Sequence, residues 1–314
     1  MIDLHIHTTC SDGQYSPAET MRMAHEAGIT VVSVSDHDTV SGIAEARNAA
    51  EQYGMTFFSG IEISVQGGKE LHILGYGIDP ENADLRSFCR KHVEERKERC
   101  TKMLAYLQNL GVNMTLDDVR RCNNGKTSGR PHFARTLVEM GYADSVQDAF
   151  EKYLTTPEFY AHVERPKPTP EEGMRVIHAA GGVAVLAHPH QLKLEEKALD
   201  TLVQQLKKIG LQGIEAYYSR HTPEQTAFYL KLAQKHHLLY TCGSDFHGPL
   251  MKPEIAMGTG ICGNLCVDDR IIPERLFAAI AAVQKMLKLL TFHLIRIIIN
   301  KDFDEWRQHD GISW

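Results

Sequence analysis

The chain has 314 residues, 43% hydrophobic and 24% charged, a balance ordinary for a globular protein. Its net charge of −6 argues against a general nucleic-acid or membrane coat, which would favour a basic surface. Seven scattered cysteines with no C-x-x-C pair fit free thiols in a reducing cytosol, and 17 histidines are the compositional oddity.

Apolar runs predict strands over Asp3–His7, Thr30–Ser35, Thr56–Ile61, Leu71–Tyr76, Val183–Ala187, Gly213–Tyr217 and Leu238–Cys242. Helical patterns separate several of them. Ser16-Pro17 opens the first helix, with Pro at the first helical position and Gly28 as the stop. Ser41–Tyr53 follows and ends at Gly54. Thr169-Pro170 opens another that ends at Gly181-Gly182, and Thr222-Pro223 opens one running to about Lys235. Strands alternating with helices imply parallel βαβ units, so the expected class is α/β, a TIM-like barrel one strand short.

From about Asn82 to Arg165 only helical signals occur: Asn82–Leu110 as one long helix, then Thr115–Cys122, Pro131–Met140 and Ser145–Leu154. This reads as a helical insertion between the fourth and fifth strands. The expected division is a discontinuous barrel, 1–81 and 166–285, an insertion at 82–165, and a tail at 286–314 without an assigned role. Between Arg86 and Arg135 there are 12 Lys/Arg against 5 Asp/Glu, so the insertion is basic in an acidic protein. Lys126-Thr127-Ser128-Gly129-Arg130-Pro131-His132 precedes a helix, and backbone N–H groups with Ser, Arg and His beside them suit a phosphate. In the tail, Met286–Ile299 is apolar but carries Lys288, His293 and Arg296; it is too short for a bilayer span of about 20 residues and reads as a last packed helix. A candidate ligand almost at the terminus, His5, leaves no room for a signal peptide, so a cytoplasmic location is expected.

Barrel enzymes place their chemistry at the C-terminal ends of the strands. The first strand ends in His5-Ile6-His7, whose i and i+2 side chains share a face, and Asp12 follows. The second runs into Asp36-His37-Asp38, the third ends at Glu62, and the fourth carries His72. The fifth runs into His188-Pro189 and the seventh into Asp245-Phe246-His247. Imidazole and carboxylate are ligands for divalent Zn, Mn and Fe. Leaving Asp36 and Asp38 aside, nine such residues, six of them His, exceed what one metal needs; two or three metals sharing a carboxylate fit better and suit displacement at phosphorus.

With these residues in hand, the chain resembles the PHP (polymerase and histidinol phosphatase) family, and within it the stand-alone nucleotide phosphoesterases. The matching motifs are His5-x-His7 with Asp12, Ser35-Asp36-His37-Asp38, Gly60-Ile61-Glu62-Ile63-Ser64, Leu71-His72-Ile73-Leu74-Gly75-Tyr76, Ala187-His188-Pro189 and Gly243-Ser244-Asp245-Phe246-His247. They cover roughly residues 1–285, including Gly129-Arg130-Pro131-His132-Phe133 in the insertion. The resemblance implies a distorted (β/α)7 barrel with a trinuclear site of Mn, Fe or Zn. By it, one metal takes His5, His7, Glu62 and Asp245, a second Glu62, His72 and His188, and a third Asp12, His37 and His247, with Glu62 bridging the first two. The insertion would be a lid on which Ser128, Arg130 and His132 hold a second phosphate or the sugar; Arg220 and His221 after the sixth strand would help.

The expected substrate is a nucleotide or short oligonucleotide, with a 3′,5′-bisphosphonucleotide converted to a 5′-monophosphate and phosphate as the leading case. The leaving oxygen needs a proton; His188, His247, Asp36, His190 and His221 are its candidate sources. Asp36 and Asp38 also read as groups that orient ligand imidazoles. The rivals are a 5′→3′ exonuclease on short RNA or DNA, a histidinol-phosphate-type phosphatase, a metal-dependent amide hydrolase, and a non-catalytic metal-stabilised domain. Net charge −6 weighs against a long nucleic-acid track.

Overall fold

A computed structural model describes residues 1–68, 70–121, 129–163, 166–268 and 270–289. Its strands are β1 (Ile2–Ile6), β2 (Val31–Val34), β3 (Thr56–Ser64), β4 (His72–Tyr76), β5 (Val183–Leu186), β6 (Gly213–Tyr218) and β7 (Leu239–Gly243), hydrogen-bonded in that order. Most of their residues are buried, as expected of strands covered on both faces. The sheet nearly closes on itself: Asp245 N donates to His5 O at 2.8 Å and His7 N to Phe246 O at 2.9 Å.

Helices α1 (Pro17–Glu26), α2 (Ile43–Gln52), α8 (Pro170–Ala179), α9 (Glu196–Lys208) and α10 (Pro223–Lys235) surround it. Ser16, Thr169 and Thr222 each form a capping box with Glu19, Glu172 and Gln225, which is why the Ser/Thr-Pro signals marked these starts. The helix α9 escaped the sequence reading; its N-cap, Glu195, makes no side-chain capping bond. Residues 271–289 form a further helix, α11, whose Ile272, Leu276, Ile280 and Val283 join the core with Ile2, Leu4 and Tyr76.

One expectation is corrected. The strands are not all parallel: β4 runs antiparallel to both β3 and β5. The loop 65–71 is too short for a crossover, which takes about a dozen residues, so it closes as a hairpin with Val65 N donating to Leu71 O at 3.0 Å. The reversal has a use. It brings the first residue of β4, His72, to the rim where the parallel strands end.

Between β4 and β5 come α3 (Ala83–Asn109), α4 (Leu116–Arg121), α5 (Arg130–Glu139), α6 (Val146–Ala149), a π-helical turn at Phe150–Leu154, and α7 (Pro157–Val163). At 27 residues, α3 is about 40 Å long. Its first turns put Leu85 and Cys89 into the barrel's outer core beside Met174 and Ile177. Its far end puts Met103 and Leu107 into a separate core with Val119, Phe133, Leu137 and Phe159. Ser128 and the tail from residue 290 lie outside the described residues, and with them the sequence readings made there.

Candidate metal centre

Each expected ligand stands at the C-terminal rim, brought there by its strand. His5 lies near the end of β1 and His7 just beyond it, and their Nε2 atoms are 3.1 Å apart. Glu62, on β3, is 1% exposed and sits at the centre. Its Oε1 accepts from His72 Nδ1 at 2.7 Å and His188 Nε2 at 2.8 Å. His37 Nδ1, His7 Nε2 and His5 Nε2 lie 3.0, 3.2 and 3.3 Å from its Oε2, yet that oxygen has no properly directed hydrogen bond. Asp245 Oδ1 is 3.3 Å from both His7 Nε2 and His247 Nδ1, and Asp12 Oδ1 is 3.3 Å from His247 Nε2.

Three overlapping groups have donor atoms all within 4.8 Å of one another: His7, Asp12, His37 and His247; His5, His7 and Asp245; and His37, Glu62 and His72. His7 thus faces the Asp12 group as well as the His5 group, and His37 lies between Asp12 and Glu62. His188 reaches the cluster through Glu62. The donor set fits divalent metals on its chemistry. Buried Asp12 Oδ1, His37 Nδ1, Glu62 Oε2 and His188 Nδ1 have no hydrogen-bond partner, although such groups in proteins nearly always find one. Six imidazoles pressed together cannot all be charged, and facing lone pairs repel; cations at their centre resolve both problems.

Electrostatics point the same way. Burial opposes charge on Glu62, but His37, His72 and His5 hold its carboxyl well below the usual range. Against the same burial, Asp12 is held well below by His37 and His247, and Asp245 by Lys252 and His247. Burial, with His247 and His37 beside it, pushes His7 down to about 4, so its neutral ring offers one nitrogen lone pair at neutral pH.

The supporting shell was only partly foreseen. Asp36 is committed to the loop before Asp12: its Oδ1 accepts from Thr8 N at 2.8 Å and Ser11 Oγ at 2.6 Å, and its Oδ2 from Thr8 Oγ1 at 2.6 Å. Asp38 Oδ1 accepts from Ser64 N at 3.1 Å, and its Oδ2 takes Nε and an Nη of Arg96 at 2.9 and 2.7 Å. Arg96 belongs to α3, so this ion pair ties the insertion to the loop carrying His37. Replacing Arg96 with alanine is expected to cost about 2–3 kcal/mol of stability, since it strands a buried carboxylate; chemical denaturation of the chelated protein measures it, and an unchanged midpoint would refute the tie. Tyr218 and Lys252 occupy Asp245 Oδ2 at 2.7 and 2.5 Å, leaving Oδ1 for the cluster. Asp38, His188 and Asp245 all have positive φ, at 54°, 24° and 59°, a concentration of strained backbone typical of functional rims.

From the insertion, His132 Nδ1 accepts from Gly129 N at 3.0 Å, and burial pushes the imidazole down to about 4. A nitrogen accepting an N–H carries no proton, so the proton is on Nε2. Arg130 donates to Tyr160 Oη at 2.9 Å and lies 3.4 Å from Glu70 Oε1. The other two expected pocket residues have partners of their own. Arg220 is paired with Glu254 at the surface, while His221 is buried with Nδ1 donating to Ala216 O at 2.9 Å. Burial holds His190 and His221 down to about 4 and 3, so neither carries a charge to give as a proton near neutral pH.

The seven-strand barrel with its reversed β4 carries a rim of clustered imidazoles and carboxylates. Residues 3–249 match the PHP domain model, and the chain belongs to that family. It is 35% identical over 250 residues to a 3′,5′-nucleoside bisphosphate phosphatase of Chromobacterium violaceum, covering 79% of this chain and 87% of that one. It is equally 35% identical over 259 residues to the 5′-3′ exoribonuclease Rnm of Escherichia coli, covering 82% and 87%. A solved structure from Bifidobacterium adolescentis, described as a metal-dependent phosphoesterase, superposes with a TM-score of 0.76 at 31% identity, covering 88% of this chain and 96% of that one. Among the described residues no helix is long and apolar enough to cross a membrane.

Proposed function

We propose that the protein is a metal-dependent hydrolase of phosphoric esters that removes a phosphate from a nucleotide, with a 3′,5′-bisphosphonucleotide giving a 5′-monophosphate and phosphate. The observation that carries this reading is Glu62, a buried carboxylate ringed by five imidazoles at the mouth of a barrel of this family. Two or three Mn, Fe or Zn ions would be held by His5, His7, Asp12, His37, Glu62, His72, His188, Asp245 and His247. Such ions, when bound, lower the pKa of water and polarise phosphoryl oxygens. The chain's own residues hold and aim. His247 donates from Nδ1 to Asp245 O at 2.9 Å, which leaves its Nε2 lone pair toward Asp12 and suits a ligand better than a proton source. Asp36 keeps the Asp12 loop in place. Arg130 and His132 bring a cation and a neutral N–H donor from the insertion, which would act as a lid over a barrel built from 1–81 and 166–285; they suit a second phosphate and a sugar hydroxyl. A cytoplasmic location is part of this reading.

The relative named as an exoribonuclease favours a second reading, a 5′→3′ exonuclease on short RNA or DNA. Much of the insertion's positive charge is already paired: Arg96 with Asp38, Lys97 with Glu94, Arg120 with Asp117, Arg121 with Asp118 and Arg135 with Glu139. That weighs against a long phosphate track and allows a short one. Phosphate release with Mn²⁺ from 3′,5′-bisphosphonucleotides, histidinol phosphate and an end-labelled oligonucleotide separates the cases. Turnover of the first is expected. Turnover of histidinol phosphate alone would reject the nucleotide assignment, and a ladder insensitive to competing bisphosphate would favour the exonuclease.

A further inference from the structure

Glu215 lies in the middle of β6, away from the strand-end motifs, and is fully buried. Its Oε1 accepts from His5 Nδ1 at 3.0 Å, and its Oε2 accepts from the backbone N–H of His188 at 2.7 Å. To reach His5 on β1 the side chain must cross β7, which lies between β6 and the closing edge of the barrel. The crossing point on β7 is Gly243. A Cβ there would stand 2.7 Å from Glu215 Oε1 and would overlap the Cβ of His5. The barrel therefore leaves out one side chain so that this carboxylate can pass.

We propose that Glu215 is a positioning residue that sets two metal-facing imidazoles at once; the proposal rests on reading the rim as a metal site. At His5 it fixes the proton on Nδ1, which leaves the Nε2 lone pair aimed at the point shared with His7 Nε2, 3.1 Å away. At His188 it anchors the N–H of a residue whose φ is +24°, a backbone state that persists only when its surroundings hold it. The anchored ring then reaches Glu62 Oε1 at 2.8 Å. Both partners of Glu215 are donors, so the site calls for a group with two acceptor oxygens. Glutamine has one acceptor and would turn an N–H against a donor.

The test is Glu215→Gln in the full chain, stripped by chelation and titrated with Mn²⁺, followed by calorimetry and Mn²⁺ electron paramagnetic resonance, with the melting temperature of the chelated protein as control. The expected result is weakening of Mn²⁺ binding by about 10–100-fold at one or more positions, the usual loss when the partner of a ligand imidazole is removed. Wild-type Mn²⁺ affinity and stoichiometry in the variant, with or without a lower melting temperature, overturns the proposal and leaves Glu215 a packing residue. A wild-type protein that binds no Mn²⁺, Zn²⁺ or Fe²⁺ fails at the site reading instead, and takes this proposal with it. If Glu215→Gln does not fold, Glu215→Asp keeps the charge but is one methylene too short to span both donors. Weak binding in that variant supports the proposal; normal binding, or failure of both variants to fold, refutes it.

Discussion

Glu62→Gln is expected to leave a folded barrel whose turnover is lower by about 10³-fold or more, equivalent to at least about 4 kcal/mol of barrier, together with a loss of bound metal. The effect should be larger than at any other rim position because, among the described residues, Glu62 is the carboxylate that imidazoles from four strands and loops approach together. His72 and His188 converge on its Oε1, and His5, His7 and His37 crowd its Oε2. Glutamine preserves volume and one acceptor, so the substitution removes charge with little change of packing. Without that charge the five imidazoles have no common counter-ion, and two proposed metal positions lose a shared ligand. Metal content by mass spectrometry and kcat with Mn²⁺ check the two halves separately. Full metal with little activity would make Glu62 a participant in the chemistry and not a bridge; wild-type values of both would remove it from the site.

The strands were legible because buried parallel strands are apolar runs, and Val183–Leu186 or Val31–Val34 admits few other readings. The caps at Ser16, Thr169 and Thr222 were legible because Ser/Thr-Pro-x-Glu/Gln encodes its own hydrogen bonds. The direction of β4 was written in the length of its loop: even the nine residues between the expected strand ends Ile61 and Leu71 are too few for a crossover of about a dozen, and the strand–helix alternation elsewhere hid this. Glu215 was hidden for a deeper reason. Its role depends on a side chain that is missing from the neighbouring strand, at Gly243, and sequence gives no sign that those positions touch. Arg96 was lost in a run of basic residues whose pattern reads as a solvated helix face; only the fold shows that it turns inward to Asp38. The clustering of the candidate ligands was legible because strand ends collect at one rim, so a position in the chain becomes a position in space.

That rule does not extend to the insertion, and Arg130→Ala tests what was read there. Arg130 is the first residue of α5, where Pro131 fits because its missing N–H is not needed. Its guanidinium is held between Tyr160, Glu70 and the ring of Phe150, with 20% of the side chain exposed. A cation so placed is oriented before substrate arrives, and a second phosphate would exchange with Glu70 for it. Charge-assisted hydrogen bonds contribute about 1.5–3 kcal/mol each, so the alanine variant should raise KM for a 3′,5′-bisphosphonucleotide by about 10–100-fold while kcat changes little. A simple phosphomonoester such as p-nitrophenyl phosphate has no second phosphate to lose, and its kcat/KM should stay within about twofold of wild type. Arg130→Lys should recover only part of the loss, since an ammonium cannot make the paired contacts of a guanidinium. Equal losses on both substrates would place Arg130 at the reacting phosphate, and no loss on either would free the insertion from phosphate recognition altogether.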